Sequence, residues 1–230
     1  LIVESENSNF NLKKKLRINE KNLIFGCYGG ESSFDMRFAQ TAISNIVKKR
    51  KDITFIFLNI DKFCSHPQIK FLKGTSNEKM KKEFINTCDA MIYGRSLGES
   101  FGLACGEFIL QNKPIISYKF NRHRSHNFNV PKKYIYGYGS YNELKKILSK
   151  FKKNYDLLEI NSKYKDYSSS KVMGIFREVF LGKESYPKIS FFDYFINYKN
   201  HLIIYYYYLR HKIYHHYFNL FESKFVNLID

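Results

Sequence analysis

Paired cysteines are missing from this 230-residue chain, which has 4 cysteines and no Cys-x-x-Cys spacing. Three of the four lie in apolar or strand-like segments, which disfavours a disulfide framework and favours a reduced, intracellular protein. No charged segment leads into an apolar core near Leu1, so the sequence predicts no signal peptide and a cytoplasmic location. The start at Leu1 rather than Met predicts that the chain continues a longer one.

A membrane-spanning apolar run is also missing. The run LIIYYYYL, residues 202–209, is far shorter than the roughly 20 residues that cross a bilayer. It lies in a basic, aromatic tail, residues 185–230, which we predict to be helical. Aromatic residues mixed with Lys, Arg and His suit a membrane interface, so residues 187–225 are a candidate for contact with a membrane surface. Packing of this tail against the preceding domain is the alternative.

Acidic residues are few, because 21 Asp and Glu stand against 38 Lys and Arg, for a formal net charge of +17. This charge attracts nucleic acid, an anionic membrane surface or a phosphate-bearing small molecule. An excess of solvated surface lysines explains it equally well. No nucleic-acid-binding motif of recognised spacing is present, although aromatics and cations interleave in the tail as single-strand binders require. Nonspecific nucleic-acid binding stays open as an alternative function.

Apolar runs and helical periodicity alternate along the first two thirds of the chain. Strands are predicted at residues 22–26, 53–58, 69–72, 90–93, 114–118 and 134–136. Helices are predicted at residues 34–50, 76–87, 101–111, 141–151 and 168–181, the last as a capped amphipathic helix. This alternation predicts an α/β fold with a Rossmann-like parallel sheet and helices on both faces. We expect a linker over residues 1–21, this domain over residues 22–184, and the helical tail after it.

The stretch GESFGLACGEF, residues 98–108, places two carboxylates around a predicted helix start. The backbone N–H groups of Phe101, Gly102 and Leu103 would point out of that helix and bind a phosphate, and Gly102 would permit its close approach. Glu99 and Glu107 lie roughly 12 Å apart along a helix axis. This spacing suits a nucleotide sugar, with Glu99 on the hexose, Glu107 on the ribose and the diphosphate between them.

The same stretch resembles the Glu-x7-Glu donor-site signature of retaining GT-B glycosyltransferases, the group that includes sucrose synthase and bacterial mannosyltransferases. The block FINTCDAMIYGRSLGESFGLACGEFILQNKPIISY, residues 84–118, is more closely similar to a subfamily found in viruses and microbes with AT-rich genomes. FGCYGGESSFD and SSSKVMGIFREVF also match it, so the resemblance covers about residues 12–181. It implies the C-terminal, donor-binding half of a hexosyltransferase, with a nucleotide-sugar donor, an unknown glycan, lipid or protein acceptor, no cofactor, and an N-terminal Rossmann domain that this chain lacks.

The resemblance also implies roles for particular residues. Gly29 and Gly30 match the donor-binding glycines of the family, but Cys27 stands where an arginine would face the donor phosphates. No Asp-x-Asp pair is present and GT-B enzymes generally need no metal, so side-chain cations would balance the diphosphate. Arg95 is the best candidate, as a catalytic residue beside Glu99, and Arg37 and Lys73 are the others. The loss of the arginine and of the N-terminal half favours the alternative of a catalytically inactive binding or scaffold module.

Overall fold

The computed structural model describes residues 12–153, 163–181 and 191–227. The strands are β1 (Leu23–Tyr28), β2 (Ile53–Leu58), β3 (Ile69–Leu72), β4 (Ala90–Tyr93), β5 (Gly98–Glu99), β6 (Ile115–Tyr118), β7 (His123–Arg124) and β8 (Ile135–Tyr138). The helices are α1 (Leu12–Lys15), α2 (Arg37–Lys49), α3 (Glu78–Thr87), α4 (Leu103–Leu110), α5 (Ser125–Phe128), α6 (Tyr141–Lys150), α7 (Ser169–Phe176) and α8 (Phe191–Asn227). Short 3-10 turns cover Lys132–Tyr134 and Lys163–Tyr167, and a π-helical turn covers Arg177–Leu181.

Parallel pairing joins the longer strands into one sheet in the order β3-β2-β1-β4-β6-β8. The predicted α/β arrangement is therefore confirmed. The central strands are mostly apolar because helices cover the sheet, and every residue of β2 is buried. The strand order reverses between β1 and β4, and sheets of this kind bind ligands at the carboxyl ends of the strands beside such a reversal. β5 and β7 form a separate parallel pair.

Cys27 lies inside β1, which is longer than predicted. The sequence pattern ended this strand at Gly26 and placed Cys27 in the following loop. Instead, Cys27 is aligned with Phe57 of β2 and is only 3% exposed. Pairing with β2 continues to the end of β1, which holds Cys27 and Tyr28 in the ladder and makes Gly29 the first loop residue.

The loop after β1 is also longer than predicted, because α2 begins at Arg37 rather than at Phe34. Phe34 is buried outside the helix, with its ring 5.1 Å from that of Phe57 and 5.7 Å from that of Phe63. Apolar spacing predicts that Phe34 faces the core, but it does not distinguish a helical residue from a buried loop residue. The other predicted elements differ from the observed ones by a residue or two, and the short β5, β7 and α5 had no sequence signal.

The amphipathic helix predicted over residues 168–181 is present only in part. α7 covers its first half, and the backbone then continues as the π-helical turn. The predicted side-chain cap is absent, because Ser168 makes no capping hydrogen bond with its side chain, and neither α7 nor the π-helical turn contains a buried residue. Apolar spacing on a helix does not ensure that a partner surface lies opposite it.

α8 confirms that the aromatic tail is helical. Its second half packs on the domain through Tyr207, His211, Tyr214 and Phe218, which recur at helical spacing on one face. Phe218 is fully buried, and the Tyr214 hydroxyl accepts a hydrogen bond from the Tyr141 amide at 2.8 Å. In the described part of the chain, no helix has the length and apolar character needed to cross a bilayer.

The predicted division into linker, domain and tail stays a prediction, and its residues 1–11, 154–162, 182–190 and 228–230 lie outside the described part. α1, inside the predicted linker, contacts the domain. Leu12 and Ile18 are buried, and the Leu12 amide donates to the Glu83 carboxylate at 3.4 Å.

Candidate functional site

The loops that follow β1 and β4 meet at the reversal of strand order. The Met36 amide donates to the Gly94 carbonyl at 3.3 Å. The Asp35 carboxylate accepts hydrogen bonds from the amide and the hydroxyl of Ser96, at 2.7 and 2.6 Å. A side chain at Gly94 would lie 2.8 Å from the Phe34 ring, so the two loops are in direct contact. These contacts fix the loop that carries Arg95 and Glu99 against the end of β1.

α4 begins two residues later than predicted, at Leu103, with Gly102 as its N-cap. Gly102 has a φ of +83°, a left-handed conformation that a glycine adopts without strain. The first helical hydrogen bond runs from the Gly106 amide to the Gly102 carbonyl. The N–H groups left without helical partners are therefore those of Gly102, Leu103, Ala104 and Cys105, which include two of the three predicted ones, and Phe101 lies before them. An anion site at this helix end remains chemically available, starting one residue further along the sequence.

The glycines of α4 are needed for packing. A side chain at Gly102 would lie 2.7 Å from Cβ of His126, and one at Gly106 would lie 2.7 Å from the ring of Tyr164. Tyr164 is fully buried, and its hydroxyl donates to the Phe101 carbonyl at 2.7 Å. His126 and Tyr164 occupy the space that a side chain at Gly102 would fill, so packing also requires a glycine here, and the approach of a phosphate to Gly102 stays a prediction.

Arg95 and Glu99 form an ion pair across the loop that precedes α4. Nη1 of Arg95 lies 2.8 Å from Oε1 of Glu99, and both side chains are about one third exposed, at 36% and 29%. The hydrogen bond to Glu99 raises the pKa of Arg95. The two residues predicted to be catalytic therefore lie side by side. Each holds the other at the surface of the crevice between the loops that follow β1 and β4.

Glu107 is held by two partners that the sequence did not point to. Oε1 lies 2.8 Å from Nζ of Lys81, and Oε2 accepts a hydrogen bond from the Tyr28 hydroxyl. The Glu107 side chain is 12% exposed and lines a small cleft of about 20 Å³ beside Lys81. Burial raises the pKa of Glu107 to about 7. No sequence signal joined α3 and β1 to this carboxylate, because the contact depends on the tertiary fold.

Cys27 does not face the crevice as a loop residue would. Burial, followed by the charge of Glu99, raises the pKa of the Cys27 thiol to about 12, so the group is neutral at physiological pH. Burial likewise raises the pKa of Cys88 and of Cys105 well above the usual range. Cys27 therefore acts as a small apolar core residue, and it neither replaces the charge of an arginine nor supplies a nucleophile.

The remaining predicted residues are near the surface. Gly29 is fixed, because a side chain there would meet the Ser33 hydroxyl and its carbonyl accepts from the Asn59 side chain at 2.8 Å. Gly30 has open space where a side chain would lie. Arg37 and Lys73 are exposed.

Two buried groups at the carboxyl ends of β4 and β6 were not predicted. The Tyr93 hydroxyl is buried and has no hydrogen-bond partner among the described residues. His126 is also buried, with its ring 4.7 Å from that of Tyr93 and its Nε2 3.1 Å from the Ser117 hydroxyl. Burial lowers the pKa of His126 to about 4, so it is neutral at physiological pH. These groups form the floor beneath the loop of Arg95 and Glu99.

No protein-family model and no curated protein sequence matches this chain. Solved structures share its fold. S. aureus MnaA, solved with UDP, has a TM-score of 0.55 and 12% identity over 81% of this chain and 52% of its own. A Listeria monocytogenes protein assigned as a UDP-N-acetylglucosamine 2-epimerase has a TM-score of 0.52 and 10% identity over 80% and 52%. Anabaena HepE, solved with UDP, has a TM-score of 0.50 and 15% identity over 72% and 47%.

This chain spans about half the length of each of these structures. At these identities the likeness shows the fold, which is that of the C-terminal, Rossmann-like domain of GT-B proteins. The fold is glycosyltransferase-like, and the epimerase shows that it also occurs in an enzyme with another assigned reaction.

Proposed function

We propose that this chain is the donor-binding domain of a retaining glycosyltransferase, which transfers a hexose from a nucleotide diphosphate sugar to a glycan, lipid or protein acceptor. The position of α4 carries this proposal. The helix N-terminus follows β4 at the reversal of strand order, with Glu99 just before it and Glu107 about 6 Å inside it. The UDP bound in two structures of the same fold supports a nucleotide-sugar donor.

The diphosphate would bind at the free N–H groups of the first turn of α4, where the helix dipole favours negative charge. Arg95 would move from Glu99 to the phosphates and stabilise the charge that develops on the leaving diphosphate. Glu99, released from Arg95, would then accept hydrogen bonds from hexose hydroxyls. The ion pair thus keeps both groups in place until the donor exchanges partners with them. The proposed chemistry uses side-chain and backbone groups only.

Glu107 would accept hydrogen bonds from the ribose hydroxyls. An ionised carboxylate offers about four lone-pair sites, and Tyr28 and Lys81 use one on each oxygen. The cleft beside it is too small for a ribose, so Lys81 would have to turn away when the nucleotide binds. Lys81 is 28% exposed, which allows that movement at little cost.

Titration calorimetry with UDP and UDP-sugars tests the proposal. We expect the wild type to bind UDP, and Glu107→Gln to weaken binding about tenfold, because the amide accepts fewer hydrogen bonds and has no charge. Wild-type affinity should rise between about pH 6 and about pH 8 as Glu107 ionises, and the variant should lose this dependence.

Glu143→Gln is the matched control. Glu143 also pairs with a lysine, at 2.7 Å from Nζ of Lys119, but it lies on α6 and outside the proposed site. Absence of UDP binding by the wild type, or equal losses in the two variants, would contradict the proposal. Tight donor binding without hydrolysis or transfer, even with an N-terminal domain added in trans, would instead identify an inactive binding module.

The proposed enzyme also contacts a membrane surface through α8. Seven exposed side chains form an apolar line on this helix, which we term the α8 stripe: Phe195, Tyr198, Leu202, Tyr206, Leu209, Ile213 and Tyr217. Their spacing of three and four residues places them on one face over about 33 Å. Lys199 lies beside the stripe, and the chain has a net charge of +17. Aromatic side chains with flanking cations match the chemistry of an anionic lipid surface.

A further inference from the structure

A second cavity lies between α8 and the loop after β4. Its volume is about 350 Å³, at the small end of the range of ligand pockets. The lining residues are Ser96, Leu97, Arg122, Tyr208, His211, Lys212, His215 and His216. None of these residues is acidic, and most carry a cation or a neutral hydrogen-bonding group. The lining of this cavity therefore favours the binding of an anion.

Two of its cations converge on one aromatic ring. The guanidinium of Arg122 lies 5.9 Å from the centroid of Tyr208, and Nζ of Lys212 lies 5.2 Å from it. Among the described residues, neither cation forms an ion pair with a carboxylate. Two like charges at one ring repel each other, and a shared anion between them would remove that repulsion.

The histidines of this cavity supply neutral hydrogen-bonding groups. Burial lowers the pKa of His211 to about 4 and also lowers that of His215, so both are neutral at physiological pH. Nδ1 of His211 is 3.0 Å from the Tyr118 hydroxyl, which leaves Nε2 for another partner. The Asp35 carboxylate acts on both histidines through its charge, and both of its oxygens accept hydrogen bonds from Ser96.

We propose that this cavity binds a phosphate group of a ligand other than the sugar donor. A phosphate offers three terminal oxygens, which match two convergent cations and neutral imidazoles, and Arg122 and Lys212 would each bind one of them. The site is formed by α8 and Arg122 and shares only the residues Ser96 and Leu97 with the loop of Glu99. The inference does not depend on the proposed transferase activity.

The test measures the binding of inorganic phosphate and of pyrophosphate by phosphorus NMR and by calorimetry. We expect Arg122→Ala with Lys212→Ala to weaken binding at least about tenfold, because charge-assisted contacts are lost. The control is Lys132→Ala with Lys133→Ala, which removes the same charge at exposed positions outside the cavity. Lys133 also lies over a tyrosine ring, at 4.9 Å from the centroid of Tyr134. Circular dichroism would check that both double variants fold.

Two further measurements identify the source of the phosphate group and the site at which it binds. Vesicles of phosphatidylcholine with phosphatidic acid, compared with equally charged phosphatidylglycerol vesicles, show whether a lipid phosphate monoester is preferred over a phosphodiester, and competition by inorganic phosphate shows whether free phosphate binds at the same site. Binding of free phosphate alone, or of phosphatidic acid as well, supports the proposal if the cavity variant weakens it. The proposal is wrong if the wild type binds no phosphate, if both double variants weaken binding equally, or if only Arg95→Ala abolishes it.

Discussion

Single residues decide how the crevice is built. Gly102, which looks like a ligand-binding glycine in the sequence, and its neighbour Gly106 both make room in the structure for His126 and Tyr164. Cys27, which replaces an expected cation, is an uncharged core residue. The carboxylates of Glu99 and Glu107 each have a cation 2.8 Å away, so the site contains fixed ion pairs before any ligand binds.

Two buried tyrosines give a residue-scale prediction. The Tyr93 hydroxyl has no described partner, whereas the Tyr138 hydroxyl donates to the Tyr93 carbonyl at 2.7 Å. Tyr93→Phe removes an unsatisfied buried group, so we expect an unchanged or higher free energy of unfolding. Tyr138→Phe loses a buried hydrogen bond and should cost about 1 kcal/mol.

Urea unfolding of both variants measures this difference. A loss of stability in Tyr93→Phe as large as that in Tyr138→Phe would show that the Tyr93 hydroxyl has a partner. It would also remove the case for an unsatisfied polar group beneath the site.

At the scale of elements, α8 is the least conventional part of the molecule. One face of its second half is buried on the sheet domain, and the α8 stripe is exposed on another. Cation–π contacts reinforce the packing of α8 on the domain. The Arg124 guanidinium lies 3.8 Å from the ring centroid of Tyr207 on α8. The guanidinium of Arg210, on α8, lies 4.2 Å from the ring centroid of Phe120. Apolar residues on two faces explain why the sequence of this helix shows no clear polar side.

Substitutions at two neighbouring residues of α8 test how firmly this helix packs on the domain. Phe218 is fully buried and contacts Phe38 at 5.7 Å between ring centroids, whereas Tyr217 is 54% exposed. Phe218→Ala should lower the free energy of unfolding by about 3 kcal/mol, because it leaves a cavity between α8 and α2. Tyr217→Ala should change it by less than about 0.5 kcal/mol.

Chemical unfolding of the two variants checks this, and proteolysis of α8 adds a local readout. Equal stability of the two variants would mean that α8 does not pack on α2 in solution. The cavity proposed to bind phosphate would then lose one of its walls.

The whole molecule combines a strongly basic surface with an exposed apolar line. These two features support the proposed contact with an anionic membrane. Leu209→Asp with Ile213→Asp places charge in the α8 stripe, at side chains that are 41% and 57% exposed. Flotation with phosphatidylglycerol vesicles should show at least about tenfold weaker binding than the wild type, because apolar burial is lost.

Met173→Asp is the control for this experiment, since Met173 is 58% exposed on α7 and outside the stripe. If the wild type binds phosphatidylcholine vesicles as tightly as phosphatidylglycerol vesicles, apolar contact accounts for binding and the charge of the lipid does not contribute. Failure of the wild type to bind vesicles, with concentration-dependent dimerisation that the Asp variant abolishes, would assign the stripe to a second copy of the chain.

The sequence by itself determined the layout of the domain. Apolar runs such as residues 53–58, short and rich in β-formers, predict buried strands, and their alternation with amphipathic helices predicts a parallel sheet. It also located the carboxylates at a helix start after β4, since both depend on local spacing. Helix starts were less certain, because Phe34 shows that a buried loop residue has the same apolar signal as a helical one.

Only the tertiary structure decided what surrounds those carboxylates. Lys81 and Tyr28 reach Glu107 from α3 and β1, and Arg122 and Lys212 meet at Tyr208 from separate parts of the chain. No local pattern encodes such contacts, because they arise when distant segments pack together. Whether a side chain is charged, neutral or covered depends on those neighbours, so the chemistry of each candidate site was set by packing.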